Sequence, residues 1–438
     1  MHALRRRSGG PALVAVLVLV AACGGPAPSA TPTAAPATAT PTPSATADAS
    51  PSPAPTPVAS DDNAALYEEI EAQVAQLRGL ELGAPVERAV LDEAGLREFV
   101  TTSFNEDNPE ELVAGFERLY KELLLMPGDE SLEDLYIELL TSQVAGLYDD
   151  ETKRMYVISR TGDIGPTEKV TYAHEFTHAL QDQAFGLRAL VGEATDQGDR
   201  SLARTTLVEG DATLLMSLWA QQHLTPAELA EAVGATDPAA EAVLAKMPAI
   251  LKEALLFPYT AGLQLTLGDW SGGGFAAIDA RYDDPPDTTE QVLHADKLAA
   301  DEPAVKVTFP ADLAGRLGTG WSVPIQDTLG EFQLEIVLRD GGGASGSVSA
   351  DAAAGWGGDR VALVEGPDGA TGVVLDTAWD TRADAREYAA ALDGLVASLK
   401  AAGRSASVLT PAPDRVVLVT ADSDRTLGRL ANVLGLAG

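Results

Sequence analysis

Apolar positions along the chain divide it into helical and extended segments. Leu66, Ile70, Val74 and Leu77 repeat at helical spacing and predict a first helix soon after Asp61. Pro85 to Leu91 reads as a short strand, followed by helices over Glu93–Phe104, Pro109–Met126 and Ser131–Gln143. At Val144 the period changes. Val144–Tyr148 and Lys153–Ile158 alternate about a polar Asp149–Thr152 turn, which predicts a hairpin. Helical spacing returns over Val170, Ala173, Thr177 and Leu180, and again from Ser201 to about His223. From Thr225 to Gly268 the pattern is helical, with breaks expected at Pro226, Pro238, Pro248 and Pro258. The region after residue 300 is richer in Gly, Val and Asp. It reads as a helix over Asp327–Leu338, a Gly/Ser/Ala-rich stretch over 341–355, then two strand–strand–helix units. Their strands are Arg360–Glu365 with Thr371–Asp376 and Ser405–Leu409 with Arg415–Thr420, followed by helices Arg382–Leu399 and Arg425–Leu434. The pattern predicts an α+β chain: a mostly helical domain with a small sheet over residues 61–300, then a small α+β region over 301–438.

One helix carries chemistry. Residues Thr171–Leu180 read T-Y-A-H-E-F-T-H-A-L, so His174 and His178 stand four apart with Glu175 beside the first. On a helix, positions i and i+4 share a face, and two imidazoles there can reach one metal ion. With 5 histidines among 438 residues, composition alone produces an H-acid-x-x-H string only about 0.008 times per chain. Gly165-Pro166-Thr167-Glu168 is a helix start and Gly186 a stop, so the helix is well bounded. The next helix contains T-L-V-E-G-D-A-T-L-L-M, residues 206–216. A carboxylate among so many apolar neighbours is costly to bury unless paired or bound to metal, which makes Glu209 the expected third ligand. Two histidines and one glutamate form a known catalytic zinc set with a position left open for water, and Glu175 is placed to act as general base.

The amino-terminal composition gives the compartment. Arg5-Arg6-Arg7 precedes an apolar run from Pro11 to Ala22, too short to span a bilayer, as in a secretory signal peptide. Val20-Ala21-Ala22-Cys23 resembles the lipobox of bacterial lipoproteins, which implies cleavage before Cys23, lipidation of that residue and a location outside the cytoplasmic membrane. Cys23 is the single cysteine, so disulfides and thiolate ligands are excluded. Residues 24–60 are almost entirely Pro, Ala, Thr and Ser and read as an extended tether. The formal net charge is −35, and loss of residues 1–22, with three arginines and no acids, makes it −38. Such acidity repels phosphate backbones, and nucleic acid is not an expected partner.

With H-E-F-T-H on one helix and Glu209 on the next, residues 144–215 resemble the gluzincins, the thermolysin-like zinc metallopeptidases. The resemblance implies a zincin-like fold, Zn²⁺ held by His174, His178 and Glu209, Glu175 as base, and a peptide or protein substrate. It also implies that the strand region ahead of the metal helix lines the cleft and pairs with an extended peptide. Two features depart from the family pattern. The loop between the motifs is longer than in thermolysin, and Thr213 stands where the family's E-x-x-x-D places an aspartate. Asp182 or Asp211 could orient a ligating imidazole instead. Such enzymes often carry a later oxyanion donor, for which His294 is the first candidate and Tyr259 the second. His223, in a last helical turn, suits the helix dipole and needs no further role. Sequence therefore points to an extracytoplasmic, lipid-anchored zinc metallopeptidase. Two alternatives share its features: a non-catalytic, zinc-containing binding or scaffold lipoprotein, and a zinc hydrolase acting on something other than peptides.

Overall fold

A computed structural model describes residues 63–158, 164–192, 196–235 and 237–436. The leader, Cys23 and the tether lie outside the described residues. The chain is α+β, with two sheets set among many helices. Among the described residues no helix is long and apolar enough to cross a membrane.

The first sheet has three strands, β1 (Glu87–Leu91), β2 (Gly146–Asp149) and β3 (Arg154–Ile158). Their order is β1-β3-β2, with β1 parallel and β2 antiparallel to β3. The hairpin expected from residues 144–158 is thus present. Its second strand, which precedes the histidine helix in sequence, lies in the middle of the sheet, and β1 and β2 form its edges.

The helix Pro166–Phe185 starts where its sequence signals place it. Pro166 occupies the first turn, and the Glu168 carboxylate accepts from the Gly165 N–H at 2.9 Å. Gly186 ends it in the left-handed conformation, at φ 70°. Residues 171–182 are all buried, so this is a central helix rather than an amphipathic surface one. It packs against β2, the first helix Ala64–Arg78 and the helix Gly198–His223.

The Gly198–His223 helix in turn packs along the 25-residue helix Ala249–Gly273. Contact is close because two glycines face each other. A Cβ at Gly210 would lie 2.2 Å from the Gly262 carbonyl oxygen, and one at Gly262 would lie 2.3 Å from that of Thr206. Pro226 and Pro238 start helices and Pro248 caps one, but the break expected at Pro258 is absent: that proline lies inside a continuous helix. Packing by Phe257, Tyr259 and Gly262, all buried, holds the helix together across the missing N–H.

The second sheet comprises β4 (Ser322–Asp327), β5 (Trp356–Glu365), β6 (Thr371–Trp379), β7 (Ser405–Ala412) and β8 (Arg415–Ala421). It is antiparallel throughout, in the order β4-β5-β6-β8-β7. Both hairpins read from sequence are present and join through β6 and β8. The helix expected from Asp327 begins only at Gly330, and residues 322–327 form an edge strand that tolerates Pro324. Alternate strand residues face two cores. Val361, Leu363, Val373 and Leu418 meet the helix Arg382–Ala401 on one side. Ala362, Val374, Val417 and Val419 meet Leu313, Leu317 and Leu430 on the other. Burial of both faces explains the nearly uninterrupted apolar runs of these strands. The first of these cores also includes Leu119, Leu123, Leu139, Leu251 and Phe257, so one apolar interior crosses residue 300.

Candidate metal centre

His174, His178 and Glu209 converge and form a group able to hold a metal ion. The helix repeat stacks the two imidazoles on one face, with ring centroids 4.6 Å apart and nearly perpendicular planes. Glu209 comes from the neighbouring helix. Its Oε2 lies 3.2 Å from His174 Nε2 and 3.5 Å from His178 Nε2. Tetrahedral zinc with bonds of about 2.05 Å requires ligand atoms about 3.3 Å apart along each edge. The two separations from Glu209 straddle that value, and all three ligand atoms lie within 4.8 Å of one another.

Burial sets the electrostatics. His174 is fully buried, which lowers its pKa to about 4 and keeps the ring neutral, as a metal ligand must be. Burial alone would raise Glu209, but His178 and His174 more than offset it, and the carboxyl titrates below its ordinary range. Glu175 behaves oppositely. It is 1% exposed, and burial followed by the Glu209 charge raises its pKa well above the usual carboxylate value. The Tyr148 main-chain N–H offsets this only partly, and neither Glu175 oxygen has a partner meeting hydrogen-bond geometry. His178 Nε2 is likewise buried and unpartnered. Buried polar atoms normally find partners. Orphans of this kind, grouped with two imidazoles and a carboxylate whose ligand atoms lie within 4.8 Å of one another, fit a metal ion with an adjacent water, and the donor set suits zinc.

The outer contacts differ from those expected. Asp182 does not face an imidazole. It accepts from the Tyr148 hydroxyl at 2.8 Å and from Lys153, and so ties the β2–β3 hairpin to the helix. Asp211 is near the centre but reaches His178 only through Gln181. The Gln181 amide donates to Asp211 Oδ2 at 2.9 Å and to the Val208 carbonyl at 3.0 Å. Both partners are pure acceptors here, so Gln181 Oε1 must be the atom 2.7 Å from His178 Nδ1, and His178 carries its proton on Nδ1. Sequence reading missed Gln181. Its only signal is its position three residues after His178, one helical turn away. Thr213 supplies no substitute for the family's aspartate, since its hydroxyl and His174 Nδ1 both lack partners.

The structure does not bring His294 to the cleft over the triad. His294 instead meets Glu331 at 2.8 Å. Tyr259 does reach the centre, with its ring 6.1 Å from that of His174. It lines, together with Glu209, Leu112, Phe116 and Leu255, a cavity of about 250 Å³. A second cavity, about 380 Å³, runs beside β2 and its turn and shares Val191 and Gly192 with the first. Gly146 opens β2 toward the centre: a Cβ there would lie 3.0 Å from Glu175 Cγ. His223 stacks on Trp219 at 5.5 Å, an ordinary role at a helix end.

Comparison with known families finds one match. A family model described as a domain of unknown function (DUF8575) matches residues 320–431, a span that runs from the start of β4 into the last helix and does not include the triad. No curated protein and no solved structure matches the chain.

Proposed function

We propose that this protein is a zincin-like zinc metallopeptidase, exported and anchored outside the cytoplasmic membrane by a lipidated Cys23. The observation that carries the reading is the spacing of Glu209 Oε2 from the two Nε2 atoms, 3.2 and 3.5 Å, together with an unpartnered Glu175 carboxylate. His174, His178 and Glu209 would hold the ion. Zinc in such a set lowers the pKa of water toward about 7 and polarises a substrate carbonyl. Glu175, held in a dry site where its proton affinity is raised, takes the water's proton and delivers it to the leaving amine. Tyr259 replaces His294 as the group placed to donate to the developing oxyanion. The edge strand β2, which a cavity runs beside, would offer main-chain groups to an extended peptide, and the apolar cavity beside Glu209 suits an apolar side chain next to the scissile bond.

The experiment is a pair of substitutions read by metal analysis and by peptide cleavage. Glu175→Gln should keep equimolar zinc and lose at least about a hundredfold in turnover, the scale of a lost general base. Glu209→Ala should lose the zinc itself. Undiminished cleavage by the Glu175→Gln protein would refute the mechanism. Stoichiometric zinc with no cleavage of any member of a broad peptide library would favour the binding-lipoprotein alternative.

A further inference from the structure

The outer contacts of the centre extend to a segment that carries none of its ligands. From His178 Nδ1 the path runs 2.7 Å to Gln181 Oε1, then 2.9 Å from the Gln181 amide to Asp211 Oδ2. Asp211 is fully buried and accepts two donors at this end of the path. Arg78 approaches it side-on, with Nε 3.0 Å from Oδ1 and a terminal nitrogen 3.1 Å from Oδ2. The Tyr282 hydroxyl donates to the same Oδ2 at 3.0 Å. Arg78 is the last residue of the helix Ala64–Arg78 and is 1% exposed; its charge also meets Asp279 at 2.7 Å and the face of Phe275 at 4.8 Å.

Each member of this chain of contacts constrains the next. The guanidinium fork fixes the plane of the Asp211 carboxylate, because two parallel N–H groups meet its two oxygens. A fixed Asp211, with the Val208 carbonyl, fixes which end of the Gln181 amide faces His178. That orientation leaves only an acceptor for Nδ1, so the ring holds the Nδ1–H tautomer and its Nε2 lone pair stays available to an ion. Were Arg78 withdrawn, Asp211 would keep only Gln181 and Tyr282 as donors to a buried negative charge, an arrangement that costs heavily and invites rearrangement.

We infer that the helix Ala64–Arg78 is a structural part of the metal centre, and that Arg78 and Gln181 are positioning residues that hold His178 in its ligating tautomer. The inference rests on the metal reading above. It makes the first helix after the tether a condition for full metal affinity.

The test uses the full-length mature chain, loaded with Zn²⁺ for affinity and with Co²⁺ for its ligand-field spectrum. Gln181→Met keeps the side-chain volume and removes all three hydrogen bonds, to His178, Val208 and Asp211. Arg78→Met removes the fork, and Arg78→Lys restores the charge without it. Gln181→Met and Arg78→Met should weaken zinc binding about 10- to 100-fold, the usual effect of losing an outer-shell partner, and shift the Co²⁺ bands. Arg78→Lys should recover part of the loss. Leu430→Ala, fully buried in the core under the second sheet, serves as control: it should lower the melting temperature while leaving the Co²⁺ spectrum unchanged. If Arg78→Met fails to fold, Gln181→Met and Arg78→Lys decide the matter. Wild-type zinc affinity and spectrum in those variants overturn the inference and leave the metal reading intact. A wild-type chain that binds no zinc overturns the metal reading itself.

Discussion

At the scale of single residues, the candidate centre was largely legible and its surroundings were not. His174, Glu175 and His178 announce themselves by spacing, because i and i+4 on a helix must share a face whatever surrounds them. Glu209 was legible for a different reason: an isolated carboxylate in an apolar run demands a partner. Gln181 and Arg78 gave no such sign, since their roles depend on which helices meet. An arginine 96 residues before His174 and a glutamine on the histidine helix itself look like ordinary polar residues until packing buries them. His294 illustrates the converse. A histidine after a turn resembles a site residue, but its neighbour is Glu331, 2.8 Å away on a helix whose pairing with residue 294 is set only by tertiary packing. Gly210 yields the prediction proper to this scale. A methyl group there meets the Gly262 carbonyl oxygen at 2.2 Å, a contact only backbone movement can relieve. Gly210→Ala should therefore destabilise the protein by about 1–3 kcal/mol, the usual cost of overpacking, despite alanine's better helix propensity. Because Glu209 is the adjacent residue, zinc affinity should fall as well. Denaturant titration and metal binding check both effects, and a variant more stable than wild type would show that the two helices can separate freely.

At the scale of elements, the hydrophobic pattern recovered those whose period is unmixed. The histidine helix, the 144–158 hairpin and the paired strands of the second sheet were readable because their residues alternate or repeat cleanly. The β4 strand was hidden by Pro324 and by its edge position, which leaves only half its backbone paired and relaxes the demand for β-formers. Pro258 misled because the rule that proline ends a helix is local, and the Gly210–Gly262 contact that keeps its helix continuous is not. One element boundary has a titratable consequence. Asp199 lies in the first turn of the helix that carries Glu209, is buried, and accepts from the Thr289 N–H at 3.1 Å and from its hydroxyl. Burial raises its pKa to about 8, against an unfolded value near 4. A folded state that favours the protonated form draws stability from this group below about pH 4 and loses it as pH rises toward 8. Asp327 and Asp359, raised to about 7 and about 6 mainly by burial, act in the same direction nearby. Asp199→Asn, which is neutral at every pH, should flatten the decline of melting temperature between pH 5 and 8 and be the more stable protein at pH 8. An unchanged slope would mean that Asp199 is already ionised in the fold.

At the scale of the whole molecule, the change in composition near residue 300 marks no gap in the interior. Leu119, Leu123 and Leu139 from the helices before the hairpin share a core with Trp356, Val361 and Leu363 of the second sheet. Polar ties cross the same seam. The Asp327 carboxylate accepts from Gly198 N–H at 2.8 Å, Arg360 pairs with Asp196, and Arg404 with Glu122. Gly330, at φ 74°, lies so close to Asp199 that any side chain would displace it. The segment matched by the family model therefore contributes Asp327 and Gln333 to the cavity that Glu209 lines, and the Glu209 helix starts against it. Units that share one apolar core unfold together, because exposing the face of either leaves the other incomplete. Calorimetry of the protein should show a single cooperative transition, and on the proposed metal reading zinc should move all of it upward as its concentration rises above Kd. Two transitions, of which zinc shifts only the first, would show the second sheet to be an independent domain and would sever it from the centre's stability. A single transition displaced as a whole ties the C-terminal sheet to the same folding unit as His174, His178 and Glu209.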